Sequence, residues 1–126
     1  MKNKLTPYIM YHNNGNVYIK GQKNSKGQEE GIWEWFYKNG NILCRTPYKE
    51  GKEDGIEEKF YPKGNIQWRI PYKEGNKDGI KECFWVNGNI CWRTPYKEGK
   101  KDGIEEWFDE RGNISETRVW KDGELI

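Results

Sequence analysis

Three arginines spaced at 24-residue intervals, Arg45, Arg69 and Arg93, form the pattern in this sequence that most directly suggests chemistry. Arginine carries a planar, permanently charged set of donors that suits phosphate and carboxylate groups, so the three side chains could bind an anionic ligand along one surface. A glutamate also stands eleven residues before each arginine, at positions 34, 58 and 82. Repeated acids facing repeated bases would form cross-strand ion pairs that mainly define the register of a sheet. We favour this structural interpretation of the arginines.

The sequence contains no set of residues suited to catalysis or metal binding. The only histidine is His12, and no serine or cysteine has a second base to activate it as a nucleophile. Adjacent carboxylates such as Glu57 and Glu58 would point to opposite faces of a sheet if they lie on a strand. The three cysteines lack histidine partners and the spacing of metal ligands. We predict a protein that is not an enzyme, with no catalytic residues, no metal site and no cofactor.

A 24-residue unit, repeated along the chain, must position these residues. The units begin at Gly31, Gly55, Gly79 and Gly103, and each reads Gly-Ile-x-Glu-x-Phe before a turn with Gly-Asn-Ile. A period of this length with two turn signals predicts one β-hairpin per unit. The predicted fold is all-β, with tandem antiparallel β-hairpins forming a curved, elongated meander sheet of ten strands. The predicted single repeat domain, 1–126, consists of a degenerate N-terminal capping hairpin (1–30), full repeats (31–54, 55–78 and 79–102) and a C-terminal capping repeat (103–126).

The turn residues predict the register of each hairpin. Asn39-Gly40 is the signal for a two-residue turn with positive φ, which would place Tyr37 opposite Ile42, Trp35 opposite Cys44 and Glu34 opposite Arg45. The segments that start at Gly51 and its equivalents are predicted to be longer loops between hairpins. The first copy has one extra residue, which we expect a bulge in its second strand to absorb.

Alternation along the strands predicts two different faces. One carries the residues that every unit shares, namely Ile, Glu and Phe with Arg and Pro, whereas the other carries most aromatic residues and varies between units. Because shared positions would serve stacking and variable positions are free to fit a partner, we favour the variable face as a binding surface. Its tryptophans are either core or contact residues, and Trp68 and Trp92 could equally complete the core. The candidate contact residues are Trp33, Trp35, Tyr37, Tyr61, Trp68, Trp85, Trp92 and Trp107.

The composition limits the possible partners. Only 33% of the residues are hydrophobic, yet 15% are aromatic, which argues for a thin sheet and against disorder. The 22 basic and 20 acidic residues alternate along the chain and leave a net charge of +2. This pattern argues against specific nucleic-acid binding and against attachment to a membrane surface. Cys44, Cys83 and Cys91, in a sequence without an apparent export signal, indicate reduced thiols in the cytoplasm.

One segment resembles a known family of repeats. Residues 72–79 read Tyr-Lys-Glu-Gly-Asn-Lys-Asp-Gly and are followed by a strand, an aromatic residue and Asn87-Gly88. This segment resembles the MORN-repeat variant, and the Tyr-x-x-Gly-x-x-x-Gly spacing occurs in three tandem copies. The resemblance covers about residues 31–126, with a weaker copy before them. The sequence departs from the variant at Glu50, Glu74 and Glu98, where asparagine is frequent.

The resemblance implies a function but no catalytic residues. The MORN-repeat variant is common among bacterial antitoxins and immunity proteins, and MORN arrays are grooved sheets that bind proteins and sometimes membranes. The resemblance therefore favours a non-catalytic antitoxin, immunity-type or adaptor protein that occupies a protein partner, such as a toxin or effector, through an aromatic-rich face. The alternative is a protein that sequesters a small nucleotide-like ligand by tryptophan stacking and arginine contacts. Membrane-surface attachment rests on the family name alone and is less favoured.

A homodimer is also possible, because an open sheet leaves two edge strands with unpaired backbone groups. The last hairpin carries charges that discourage edge pairing, whereas residues 8–11 are apolar. We therefore predict that any homodimer uses the N-terminal hairpin or the aromatic face. Light scattering would detect it, and Met10→Lys should dissociate an edge-paired dimer.

Overall fold

The computed structural model describes residues 4–126, none of which lies in a helix. The described chain accordingly has no helix that could cross a membrane. The strands are β1 (Thr6–Tyr11), β2 (Val17–Lys23), β3 (Glu29–Phe36), β4 (Ile42–Lys49), β5 (Lys52–Glu53), β6 (Gly55–Phe60), β7 (Ile66–Lys73), β8 (Asn76–Lys77), β9 (Gly79–Phe84), β10 (Ile90–Lys97), β11 (Lys100–Lys101), β12 (Gly103–Phe108), β13 (Ile114–Lys121) and β14 (Glu124–Leu125).

All fourteen strands belong to one open antiparallel sheet in which consecutive long strands are neighbours. The predicted all-β fold of tandem hairpins with a 24-residue period is confirmed. The ten predicted strands are present, and four two-residue strands, β5, β8, β11 and β14, are added to them. Each of these short strands pairs with the end of the long strand before it.

The predicted strand register is confirmed, but the predicted hairpin turn is wrong. Glu34 pairs with Arg45 and Trp35 with Cys44, whereas Ile42 pairs with Phe36 instead of Tyr37. In the loop, the Gly40 N–H donates to the Tyr37 carbonyl, and of the loop residues only Gly40 has a positive φ, of 92°. This is a three-residue loop, a type I turn closed by a glycine bulge. The register recovers because a second bulge, between Ile42 and Cys44, adds one residue to β4.

The genuine two-residue turn lies where a longer loop was predicted. Lys49 pairs with Lys52, so the turn between them consists of Glu50 and Gly51 alone. Their φ angles are 51° and 83°, and two successive positive φ angles define a type I′ turn. Glu74 and Glu98 occupy the same position, with φ of 50° and 51°. The glutamates that depart from the family pattern are therefore held in the left-handed region.

Replacing Glu74 with asparagine is expected to stabilise the protein by about 1 kcal/mol, because asparagine tolerates the left-handed region better than a longer side chain does. Urea unfolding would measure the gain. Glu74→Gln is the matched control, since it removes the same charge without relieving the backbone. Equal stability of the two variants would contradict the explanation.

The extra residue of the first copy lies in a turn, and the bulge predicted for it is wrong. Where later units have the two-residue Glu-Gly turn, the first copy has a loop closed by hydrogen bonds from Asn24 N–H to the Gln28 carbonyl and from Gly27 N–H to the Asn24 carbonyl. This is the three-residue type of loop, so the longer turn accommodates the insertion without disturbing the strands.

Asparagine side chains connect successive hairpins at the turns. The Asn41 side-chain amide donates to the Pro62 carbonyl at 2.9 Å, Asn65 to Val86 at 2.9 Å and Asn89 to Glu110 at 2.8 Å. Each bond satisfies a carbonyl in the next turn that no strand pairs with. The repeated Gly-Asn pair thus combines a turn residue with a donor to the next unit.

The two faces differ in burial. We call the side that carries Trp33, Trp35 and their equivalents the inner face, and the side that carries Ile32, Glu34 and their equivalents the outer face. Except for the loop residue Asn24, all the buried residues of the described chain are on the inner face, namely Trp33, Thr46, Ile70, Cys83, Cys91, Thr94 and Glu105. In a single layer, side chains on neighbouring strands bury one another. The inner face is therefore the packed side of the sheet.

The isoleucine that opens every unit is on the outer face and is largely exposed. Ile32, Ile56, Ile80 and Ile104 are 57%, 55%, 54% and 59% exposed. The argument that shared positions are those required for packing is wrong for this residue. The glycine that opens each unit, in contrast, is required for a steric reason. A Cβ on Gly55 would lie 2.7 Å from Cγ of Pro47, and the φ of Gly55 is +122°.

Alternating charges cross the outer face as a ladder. Arg45 contacts Glu34 and Glu58, both at 3.8 Å, and Arg69 contacts Glu58 at 3.5 Å, as the register predicted. The guanidinium of Arg45 also lies 5.8 Å from the ring centroid of Phe60 in the next unit. Arg45 thus contacts a glutamate on each side, whereas Arg69 and Arg93 each contact one glutamate, and Glu82 has no ion pair within residues 4–126.

Reversing Arg93 and Glu106 together is expected to restore more stability than reversing Glu58 and Arg69 together. Reversal of the Glu58–Arg69 pair would bring like charges together on both sides, at Arg45 and at Glu82, whereas reversal of the Arg93–Glu106 pair would do so only at Glu82, because position 106 faces Thr117 on its other side. Each single reversal is expected to cost about 0.5–1 kcal/mol. Chemical unfolding of the single and double variants measures this, and equal recovery in the two pairs would argue against a shared ladder.

The first strand lies at one edge of the sheet and leaves Ile9, Met10 and Tyr11 exposed. Dimerisation through this edge stays a prediction.

Candidate functional site

The inner face carries aromatic rings in three groups. At the N-terminal end, the ring centroid of Trp33 lies 5.3 Å from that of Tyr8, 6.4 Å from Trp35 and 6.5 Å from Tyr48. Trp68 lies in the middle of the face. At the C-terminal end, Trp92 and Trp107 stack with centroids 5.2 Å apart. Apart from Trp33, these tryptophans are half-buried and keep part of each ring at the surface.

Cations surround the middle aromatic group. The Lys59 and Lys81 ammonium groups lie 4.6 Å and 5.9 Å from the Trp68 ring centroid, and Lys77 lies 5.1 Å from Tyr96. None of these three lysines has an ion-pair partner among residues 4–126. Burial lowers the pKa of Lys77, and repulsion from Lys81 and Lys101 adds to the effect, although Glu57 opposes it. The middle of the inner face therefore combines aromatic surface with unpaired positive charge.

A buried carboxylate stabilises the C-terminal end of the face. Glu105 is 3% exposed. It accepts hydrogen bonds from Thr94 Oγ1 at 2.5 Å and Trp120 Nε1 at 3.2 Å, and Lys101 Nζ lies 3.5 Å away. Burial alone would raise the pKa of Glu105, but the bonds from Thr94 and Trp120 and the charge of Lys101 outweigh it and lower this pKa. The sequence did not single out Glu105, because its equivalents are Trp33, Glu57 and Lys81.

The three cysteines, Cys44, Cys83 and Cys91, are free thiols. Cys83 and Cys91 are buried, and Cys44 Sγ lies 3.6 Å from the Thr46 hydroxyl. Burial raises the pKa of Cys83 to about 12, with a contribution from Cys91. A thiol with this pKa is a poor nucleophile at neutral pH. No group of residues that could hold a metal ion occurs between residues 4 and 126.

Three of the predicted contact residues lie just beyond the ends of their strands, where the turn loops begin. Tyr37 donates its hydroxyl to the Phe60 carbonyl at 2.8 Å, and Tyr61 does the same with Phe84 at 2.7 Å. Trp85 opens the third such loop. The two tyrosine side chains therefore connect successive hairpins. The role of these three residues as partner contacts stays a prediction.

His12 belongs to the same series of loop residues. Its Nε2 lies 2.8 Å from the Phe36 carbonyl oxygen, which matches the tyrosine contacts one repeat later. The only histidine of the chain therefore has a structural contact, and the sequence could have indicated it because His12 precedes its turn glycine by three residues, as Tyr37 does.

The structure separates the other predicted site residues into two groups. Trp35, Trp68, Trp92 and Trp107 share the inner face, while Trp33 is 4% exposed and offers almost no contact area. Arg45, Arg69 and Arg93 are on the opposite face. A ligand that stacks on these tryptophans could not contact the arginines at the same time.

Sequence comparison is consistent with the hairpins seen in the structure. The MORN repeat variant model matches residues 29–50, 53–74 and 101–122, which contain hairpins β3–β4, β6–β7 and β12–β13 and cover just over half of the chain. A comparison with curated proteins finds no match. MORN repeat proteins are generally non-catalytic modules that bind other proteins. The chain belongs to the MORN repeat variant family.

Proposed function

We propose that this protein binds and occupies a partner protein through its inner face, as an antitoxin or immunity-type protein of the cytoplasm. One observation carries the choice of face: each arginine of the outer-face ladder contacts a glutamate, whereas Lys59, Lys77 and Lys81 on the inner face lack a carboxylate partner among the described residues. Unpaired charges beside half-exposed aromatic rings can gain new contacts on binding. Tryptophan is also enriched among residues that dominate interface energies.

The proposed mechanism is steric occupation. The chain offers no catalytic set, so its effect on a toxin or effector would come from covering that protein's surface. A rigid sheet needs little ordering on binding, which lowers the entropic cost of association. The three free thiols agree with a reducing compartment.

The small-ligand alternative receives less support. It required tryptophan stacking and arginine contacts to act together, and these residues lie on opposite faces. Binding through Trp68 and its lysines alone would still allow an anionic ligand, which purification of the native protein with its bound molecules would reveal.

Affinity purification from the native host tests the proposal. We expect the wild-type chain to retain a stoichiometric protein partner and Trp68→Ala to lose it. The matched control is Ile56→Ala, which truncates a residue that is 55% exposed on the outer face. Expressing the recovered partner alone should inhibit growth, and co-expressing this chain should relieve the inhibition.

Two results would contradict the proposal. Retention of the partner by Trp68→Ala with loss by Ile56→Ala would place binding on the outer face. A partner whose expression leaves growth unaffected would remove the antitoxin assignment while keeping the binding function.

A further inference from the structure

The first two hairpins form a small aromatic cavity on the inner face. It has a volume of about 160 Å³ and is lined by Tyr8, Ile19, Lys23, Glu29, Trp33, Trp35 and Tyr48. Sites for complete small molecules usually measure about 300–1,000 Å³, so this cavity suits a single functional group. Four of its seven lining residues are aromatic.

Gly21, in the first copy, leaves room for the Trp33 ring that lines the cavity. Trp33 packs flat against Gly21, where a Cβ would lie 2.2 Å from the indole ring. In later units the position of Gly21 is taken by Thr46, Ile70, Thr94 or Arg118, and no unit after the one that contains Trp33 has a tryptophan at that position. The cavity therefore occurs once and is a property of this chain's N-terminal end.

The charge around the cavity favours a cation. Glu29 lines it and has no ion-pair partner in residues 4–126. Burial raises the pKa of Tyr48 to about 12, and the carboxylates of Glu53, Glu57 and Glu29 contribute to the shift. The cavity wall itself carries one carboxylate, that of Glu29, and one ammonium group, that of Lys23, and the nearby charges of Glu53 and Glu57 add negative potential at Tyr48.

Lys23 shows how the rings accommodate an ammonium group. Its Nζ lies 4.8 Å from the Tyr8 ring centroid. A cation within about 6 Å of an aromatic centroid is attracted by the negative face of the ring, and groups of aromatic residues bind alkylated ammonium ions in this way.

We propose that this cavity binds an alkylammonium group, from a lysine or methylated lysine side chain of a partner or from a free quaternary amine. The proposal extends the proposed function, because a partner protein could insert such a side chain here. It is nevertheless tested independently, with small probes and without any partner.

Choline and its neutral carbon isostere, 3,3-dimethylbutan-1-ol, are the decisive probes, because they share a shape and differ in charge. NMR would follow the indole N–H signals of Trp33 and Trp35 during titration. We expect saturable shifts with choline and an affinity about three- to thirtyfold lower for the alcohol. Titration with an N-acetylated trimethyl-lysine amide then distinguishes the sources, since a side-chain site should bind it more tightly than choline.

Three variants complete the test. Trp35→Leu should abolish the choline shifts, and Glu29→Gln should weaken binding severalfold while a folded spectrum is retained. Trp107→Leu, which removes a ring at the other end of the inner face, is the control and should leave binding unchanged. Equal affinity for choline and the alcohol would show that the cavity binds apolar groups without regard to charge, and would overturn the proposal. Unchanged choline binding in Trp35→Leu would overturn it as well. If Trp68→Ala retained the protein partner and so contradicted the proposed function, the choline titration would still stand as a separate test of the cavity.

Discussion

Replacing Trp33 with alanine is expected to destabilise the protein by about 3–5 kcal/mol, the range for truncating a large buried aromatic residue. Trp33 is 4% exposed and donates its indole N–H to the Gln22 carbonyl at 3.1 Å. Its ring also contacts Tyr8 and Tyr48, so the change removes contacts in three strands and leaves a carbonyl without its donor. Urea unfolding followed by circular dichroism would measure the loss.

The preceding residue provides the control. Ile32 is on the same strand but points to the outer face, where it is 57% exposed. Ile32→Ala should therefore change the free energy of unfolding by no more than about 0.5 kcal/mol. If Ile32→Ala proved as costly as Trp33→Ala, the assignment of the inner and outer faces would be wrong.

Replacing Glu105 with alanine is the second large effect, with an expected loss of about 2–4 kcal/mol. The substitution leaves the Thr94 hydroxyl, the Trp120 indole and the Lys101 ammonium without their acceptor. Buried donors that lose a charged partner cost more than an exposed ion pair contributes. Glu106→Ala is the matched control, since Glu106 pairs with Arg93 on the outer face at 2.7 Å. It should cost about 1 kcal/mol or less.

The pH dependence of stability provides a further check on Glu105. Its pKa is lower in the folded protein than the usual value of 4.5. The unfolded chain therefore binds this proton more readily, so the carboxylate's stabilisation is complete above the unfolded pKa and is lost as pH falls through the folded pKa. The stability difference between wild type and Glu105→Gln should be constant near neutral pH and shrink on acidification below about pH 4.5. A difference that grows in acid would refute the assignment.

The repeat pattern of the sequence was sufficient to predict the fold class and the strand register. Its 24-residue period and Gly-containing turns required successive hairpins, and the spacing of Glu34 and Arg45 correctly paired their strands. These features are local, because a hairpin's pairing depends on a few turn residues and on alternation along adjacent strands.

The turn types needed backbone geometry that the sequence pattern does not specify. Asn39-Gly40 matches the composition of a two-residue turn, yet only Gly40 adopts a positive φ, while Glu50, an unfavourable residue there, does so in the true two-residue turn. Contacts with the neighbouring hairpin accompany both turn types: the three-residue loops accept a hydrogen bond from the preceding unit's asparagine, and the Gly51 N–H of the two-residue turn donates to the Glu29 carbonyl at 3.0 Å.

The tertiary structure alone decided which face is packed. Alternation along the strands divides the residues into two faces but does not indicate which face is packed. It therefore could not predict that Ile32 is exposed and Trp33 is buried. Packing of the inner face depends on contacts between strands, such as that of Trp33 with Gly21. The N-terminal cavity and the buried site of Glu105 likewise join residues from several strands, so their proximity follows from the assembled sheet and from no local pattern.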